Sequence, residues 1–248
     1  MALLTPTLEM EALSDCDLVI EAVFELMKIK KEVFSRLDSI VKPGAILATN
    51  TSYLNVDDIA ATTSRPESVV GLHFFSPANI MKLLEIVQGA GTSDRALATG
   101  FALAKRLKKV PVLAGVCDGF IGNRVMSAYR READFMLEDG ALPHEVDAAM
   151  RDFGFPMGVF QMADLAGLDI GWAMRKRQAA TRDPAARYVE IADRICEAGR
   201  LGRKTGRGWY DYTDDPRGAL DPWVTALIEA ESTRKGIARQ AFDAERIM

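Results

Sequence analysis

The chain is poor in the residues that build disulfide scaffolds, metal centres and membrane spans. Its three cysteines, Cys16, Cys117 and Cys196, lie far apart in 248 residues and form no CxxC pair. That spacing excludes a disulfide framework and a zinc ribbon, and leaves reduced thiols that pack. No apolar run reaches the roughly 20 residues that cross a bilayer. The opening "MALLTPTLEMEAL" has no basic region followed by a long apolar stretch, so no secretory signal is read and a cytoplasmic setting is expected. A strong charge bias is absent too: 31 Lys and Arg against 35 Asp and Glu leave a net charge of -4. The basic runs "KRLKK" and "RKRQ" are short and offset by nearby acids, which argues against a nucleic-acid footprint.

What is present is an ordinary globular composition, 48% hydrophobic and 27% charged, arranged in two styles. Up to about residue 117, short β-rich runs alternate with helical stretches. "DLVIEAV" (17–23) is a nearly continuous apolar run, expected as a strand covered on both faces. "KIKKEVFSRLDSIV" (28–41) has helical spacing, "NVDDIAATT" reads as a short helix, and "SDRALATGFALAKRLKKV" as a helix capped by Ser93 or Asp94. "AILATNTS", "SVVGLHFF", "KLLEIVQG" and "VPVLA" supply further strands. Such alternation predicts a parallel sheet with helices on both faces and a ligand crevice at the carboxyl ends of its strands. From Asn123 to about Gly199 the chain reads as helical, including one helix over "DLAGLDIGWAMRKRQAA" (164–180), and "GRGWYDY" reads as a small extended closing element.

One of only two histidines, His73, sits in the strand-like "GLHFFSP", and Glu85 sits among apolar residues in "KLLEIV". A buried carboxylate without a partner is costly. If the two runs form a hairpin centred on Asn79, His73 and Glu85 are equidistant from its centre and face each other. Directly opposed Cβ atoms lie roughly 4.5–5.5 Å apart, within reach of an imidazole–carboxylate hydrogen bond. Such a pair fixes the tautomer and frees the second ring nitrogen as a general base. Taken alone, the pair reads first as a satisfied structural contact. "TNTS" (49–52) reads equally as a turn or a helix cap, and Asn123 in "DGFIGNR" as an N-cap. All of them in this order are harder to explain as packing.

That ordered set resembles the 3-hydroxyacyl-CoA dehydrogenase family. The resemblance is carried by "DLVIEAVFE", "ILATNTS", "GLHFFSP", "KLLEIV", "DGFIGNR", "FPMGVF", "DLAGLD" and "GRKTGRGWYDY", which together cover about residues 14–212. It implies an α/β fold: the second half of a Rossmann-type NAD-binding domain over 1–117, an all-α C-terminal dehydrogenase domain over 118–213, and a connector or tail over 214–248. It implies NAD as cofactor and (3S)-3-hydroxyacyl-CoA as substrate. His73 then resembles the catalytic base and Glu85 its orienting carboxylate. Ser52 and Asn123 resemble the groups that hold the substrate oxygen and thioester region. Val23, Phe24, Glu25, Lys30, Ser52 and Ser76 fall on the cofactor side. As a bare position, Lys30 reads equally as a surface helix residue. The helical half is expected to form a homodimer.

The sequence also departs from that pattern. It contains no GxGxxG, the loop whose amides bind a dinucleotide pyrophosphate. Ser76 stands where many members of the family have asparagine. The chain is expected to start near the family's fourth strand, at "ALLTPT" (2–7), and to be an internal fragment of a multifunctional β-oxidation protein. A second reading stays open: an acyl-CoA-binding or oligomerisation module without catalysis.

Overall fold

The computed structural model describes residues 4–248 and divides into two compact units, Met1–Met126 and Ser127–Met248. The first is built on five strands, β1 Leu18–Glu21, β2 Ile46–Thr49, β3 Val69–Phe74, β4 Leu83–Gln88 and β5 Val110–Gly115, in spatial order 1-2-3-4-5. β1, β2 and β3 run parallel, β4 runs antiparallel to β3, and β5 runs parallel to β4. The sheet is therefore mixed: parallel over β1–β3 as the alternation predicts, with the reversal at β4 that the expected hairpin about Asn79 requires. The connection of residues 75–82 is too short for the crossover that a parallel pair needs.

Period-two alternation sorts the strand side chains onto two faces. Leu47, Val69 and Val87 pack with Phe34 and Leu37 of α1 (Met27–Ile40) and with Val56 and Ile59 of α2 (Val56–Ala60). Ile46, Ala48, Val70, Leu72, Leu84 and Ile86 pack with Ala96 and Ala104 of α3 (Asp94–Arg106). Ser93 caps α3, its Oγ accepting from the Ala96 amide at 3.3 Å. Gly71 is required opposite Val87, because a Cβ there would lie 2.6 Å from the Val87 Cβ.

Two expectations fail at the start of the chain. β1 is an edge strand, and Ile20 is 39% exposed, so "DLVIEAV" is not covered on both faces. Of the strand expected over 2–7, residues 2 and 3 lie outside the described residues, and 4–7 take no regular structure.

The second unit is helical. α4 (Gly122–Asp139) begins in the first unit, and α5 (Pro143–Phe153), α6 (Val159–Ala166), α7 (Leu168–Gln178) and α8 (Ile191–Glu197) follow. The helix expected over 164–180 is broken at Gly167, whose φ of 98° lies outside helical space. Two buried carboxylates hold the unit together. Asp147 accepts from the Phe160 and Gln161 amides at the start of α6 and from the Tyr210 hydroxyl. Asp164 accepts from the Trp209 and Tyr210 amides and the Tyr212 hydroxyl, each at 3.0 Å. Burial pushes the Asp164 carboxyl up to about 6 against those donors. The stretch expected as a connector adds α9 (Pro222–Arg234) and α10 (Ala244–Ile247). Val224, Ile228 and Ile247 are buried in the same core as Phe160 and Trp209, so the tail is part of this unit's packing.

Candidate active site

The sequence places polar side chains where β1, β2 and β3 end, and the fold gathers them. His73 pairs with Glu85 in the β3–β4 register, the opposition expected from their equal distance to Asn79. His73 Nδ1 lies 2.7 Å from Glu85 Oε2. The other oxygen, Oε1, accepts from the Ile121 amide at 3.1 Å and the Gly122 amide at 2.7 Å. A carboxylate already taking two backbone donors at the start of α4 acts as an acceptor throughout. The Nδ1 proton is thereby fixed on the ring, and Nε2 is left as the basic nitrogen. Glu85 is fully buried and His73 is 3% exposed.

The surroundings hold this pair from three sides. The Phe75 ring lies 4.5 Å from the imidazole and the Phe120 ring 5.7 Å, centroid to centroid. Phe120 adopts a left-handed φ of 46°, which costs a non-glycine residue roughly 1–2 kcal/mol. Burial of its ring in the core offsets that cost. Gly122 lets α4 start against the pair: a Cβ there would fall 2.8 Å from Phe75 Cζ and 3.5 Å from Glu85 Oε1. Asn123, 8% exposed, is the next residue of α4.

Beside the pair lies an ionic cluster. Lys30 is completely buried in the first turns of α1, its Nζ 2.8 Å from Glu21 Oε1 and 3.7 Å from Glu25 Oε2. The surface reading of Lys30 is thus wrong: two acids next to it make its burial tolerable. Glu21 also accepts from the Thr49 hydroxyl and the Val23 amide. Glu25 Oε1 accepts from the Thr51 hydroxyl at 2.6 Å, the Ser52 amide at 2.8 Å and the Tyr53 amide at 3.0 Å. Asn50 Oδ1 accepts from the Phe74 amide at 3.1 Å, joining the end of β2 to that of β3. Val23 and Phe24 are 40% and 78% exposed, an apolar lip above the cluster, and Ser76 is exposed after His73.

Thr49 and Thr51 belong to the "TNTS" stretch read from the sequence, whereas Glu21, Phe75 and Phe120 lie in quoted stretches without a role of their own there. Glu21 carried the same signal as Glu85, an acid inside an apolar run. Among the described residues, no group of His, Cys, Asp and Glu could hold a metal ion, and no helix is long and apolar enough to cross a membrane.

For a nicotinamide ring, the donor set fits: an apolar lip, a buried cation and a strand-end hydroxyl lie together. For a pyrophosphate, no glycine-rich loop exists in the sequence, so the fit is limited to the nicotinamide end. A Rossmann-type sheet with polar and ionic side chains gathered at its strand ends is the architecture of nicotinamide-dependent oxidoreductases. Residues 1–117 match the model described as 3-hydroxyacyl-CoA dehydrogenase, NAD binding domain, and residues 119–212 that of the C-terminal domain. The chain belongs to the 3-hydroxyacyl-CoA dehydrogenase family, whose cofactor is NAD. It is 46% identical to the peroxisomal bifunctional enzyme of Danio rerio, over 99% of this chain and 36% of that protein. The 3-hydroxybutyryl-CoA dehydrogenase of Escherichia coli superposes with a TM-score of 0.78 at 38% identity, over 85% of this chain and 45% of that one. The (S)-3-hydroxybutyryl-CoA dehydrogenase of Ralstonia eutropha gives 0.76 at 37% identity, over 82% and 73%. The chain spans about a third of the length of the curated relatives it matches, 36% and 32% in two of them.

Proposed function

We propose that the chain carries the substrate-side chemistry of the oxidation of (3S)-3-hydroxyacyl-CoA to 3-oxoacyl-CoA in fatty-acid β-oxidation, with His73 and Glu85 as its general-base pair. The observation that carries this reading is the Nδ1–Glu85 hydrogen bond of 2.7 Å, because it leaves Nε2 to take a proton. His73 Nε2 removes the proton of the substrate 3-hydroxyl, and the imidazolium returns it in the reverse direction. Glu85 stabilises that imidazolium and keeps the ring oriented. Ser52 and Asn123 hold the substrate oxygen and the thioester region. When bound, NAD supplies the acceptor for the hydride from carbon 3. Val23, Phe24, Glu25, Ser52 and Ser76 would hold its nicotinamide end, with the serine hydroxyl of Ser76 reaching less far than an asparagine amide; Lys30, expected among them, is fully buried and would act through Glu25 instead of by contact. Positioning of the base contributes typically about 10²–10⁴-fold.

The helical unit is proposed to form a homodimer; Phe153, Leu165 and Ile170, exposed at 69%, 55% and 58%, support an apolar interface there. Gel filtration at twice the chain mass is expected. A cytoplasmic setting belongs to the same proposal, and a tagged chain found in peroxisomes would contradict it. The activity is tested by titrating NADH by fluorescence and following NADH oxidation with acetoacetyl-CoA at 340 nm. Saturable binding and acetoacetyl-CoA-dependent turnover are expected. No saturation at millimolar NADH and no turnover would favour the non-catalytic acyl-CoA-binding module.

A further inference from the structure

Lys30 poses an electrostatic problem that the proposed chemistry does not solve. An ammonium in the first turns of a helix meets the positive end of the helix dipole, and this one has no access to water. Two carboxylates face it, on unequal terms. Glu21 is at hydrogen-bond distance, 2.8 Å, whereas Glu25 Oε2 stands off at 3.7 Å. Glu21 is itself fixed by the Val23 amide at 2.6 Å and the Thr49 hydroxyl at 2.8 Å. Glu25 meanwhile receives the Thr51 hydroxyl and the Ser52 and Tyr53 amides on a single oxygen. The cation thus sits between an acid that holds it and an acid that organises the Ser52 turn.

We infer that Glu21 is a positioning residue: by holding the Lys30 ammonium, it keeps that cation from closing on Glu25, and so leaves Glu25 to hold the turn that carries Ser52. Its consequence for chemistry rests on the reading of Ser52 as a substrate-side residue, but the arrangement itself does not. Without the Glu21 charge, the ammonium has one ionic partner left within reach, Glu25. Closing the 3.7 Å gap to Oε2 moves the carboxylate as a unit, and so draws Oε1 away from the Thr51, Ser52 and Tyr53 donors. The turn then loosens through Lys30, although neither Glu21 nor Lys30 touches Ser52.

Amide hydrogen exchange on the full 248-residue chain without ligands tests this. In Glu21→Gln, exchange of the Ser52 and Tyr53 amides accelerates about tenfold relative to Val70 and Ile86 in the centre of the sheet, as expected when a hydrogen bond to a charged acceptor is weakened. Adding Lys30→Met to Glu21→Gln removes the competing cation and restores wild-type protection of both amides. Where Glu21→Gln does not fold, Glu21→Asp is read in its place: the shorter acid keeps its charge but withdraws from the 2.8 Å contact with Lys30, and a smaller acceleration of the same two amides is expected. Unchanged Ser52 and Tyr53 amides in the single variant would overturn the inference, and so would acceleration that persists in the double variant. A chain that binds no NADH would contradict the proposed activity while this exchange result still decides the role of Glu21.

Discussion

Replacing Glu85 by glutamine keeps the shape of the side chain and changes one thing, the direction of its hydrogen bond to His73. The amide oxygen has a forced location. Ile121 and Gly122 present two backbone donors at 3.1 and 2.7 Å, and turning the –NH₂ towards them would set donor against donor and leave two part-buried amides unmet, at up to about 1 kcal/mol each. The –NH₂ therefore faces His73 Nδ1, where a carboxylate oxygen stood at 2.7 Å. Nδ1 must then accept, and the ring proton moves to Nε2, the nitrogen required as a base. The loss equals the general-base contribution, roughly 10²–10⁴ in rate, or about 2.7–5.4 kcal/mol of barrier. NADH oxidation with acetoacetyl-CoA gives the rate, and ¹⁵N spectra of the imidazole give the tautomer. A Glu85→Gln chain that turns over within about threefold of wild type, or that keeps its proton on Nδ1, would refute the reasoning.

Other consequences follow from the same contacts. Gly122→Ala drives a methyl to 2.8 Å from Phe75 Cζ; a loss of about 1–3 kcal/mol by urea unfolding is expected, with turnover falling as the α4 start moves off Glu85. Ser93→Ala removes the α3 cap and should cost about 1 kcal/mol of stability with unchanged turnover, since α3 carries no site residue. Asp164 has a carboxyl raised from 3.8 to about 6 in the folded chain, so the folded state binds the proton more tightly than the unfolded one. The stability this provides is complete below about 4 and is lost as pH rises to about 6, by at most about 3 kcal/mol. The lowered carboxyls Asp38 and Asp211 act oppositely, but only below 3.8. Carboxyl ¹³C titration placing Asp164 below 4 would contradict this.

The hairpin was legible because its two polar residues interrupt apolar runs symmetrically about Asn79, and a strand periodicity of two leaves one register for both. The direction of the sheet was less legible. Alternation of strands and helices signals crossovers and a parallel sheet; the reversal at β4 is signalled separately, by the shortness of residues 75–82 and the symmetric placing of His73 and Glu85. Burial of Lys30 was hidden, because helical spacing alone does not tell a buried face from a solvated one when the buried residue is charged. Its partners come from β1 and the loop after it, brought together only in the fold. The break at Gly167 depends on a backbone angle, not on composition. α9 fell within the stretch expected as a connector, although Asp221 and Pro222 form a helix start there, with Asp221 accepting from the Trp223 amide.

The measurement closest to the centre of this account is the acetoacetyl-CoA-dependent oxidation of NADH by the wild-type chain and by His73→Ala. Turnover in the wild type and a rate at least about 100-fold lower in the variant are expected, with both chains folded by circular dichroism. Equal rates in the two would remove His73 from the chemistry and contradict the assignment of the site.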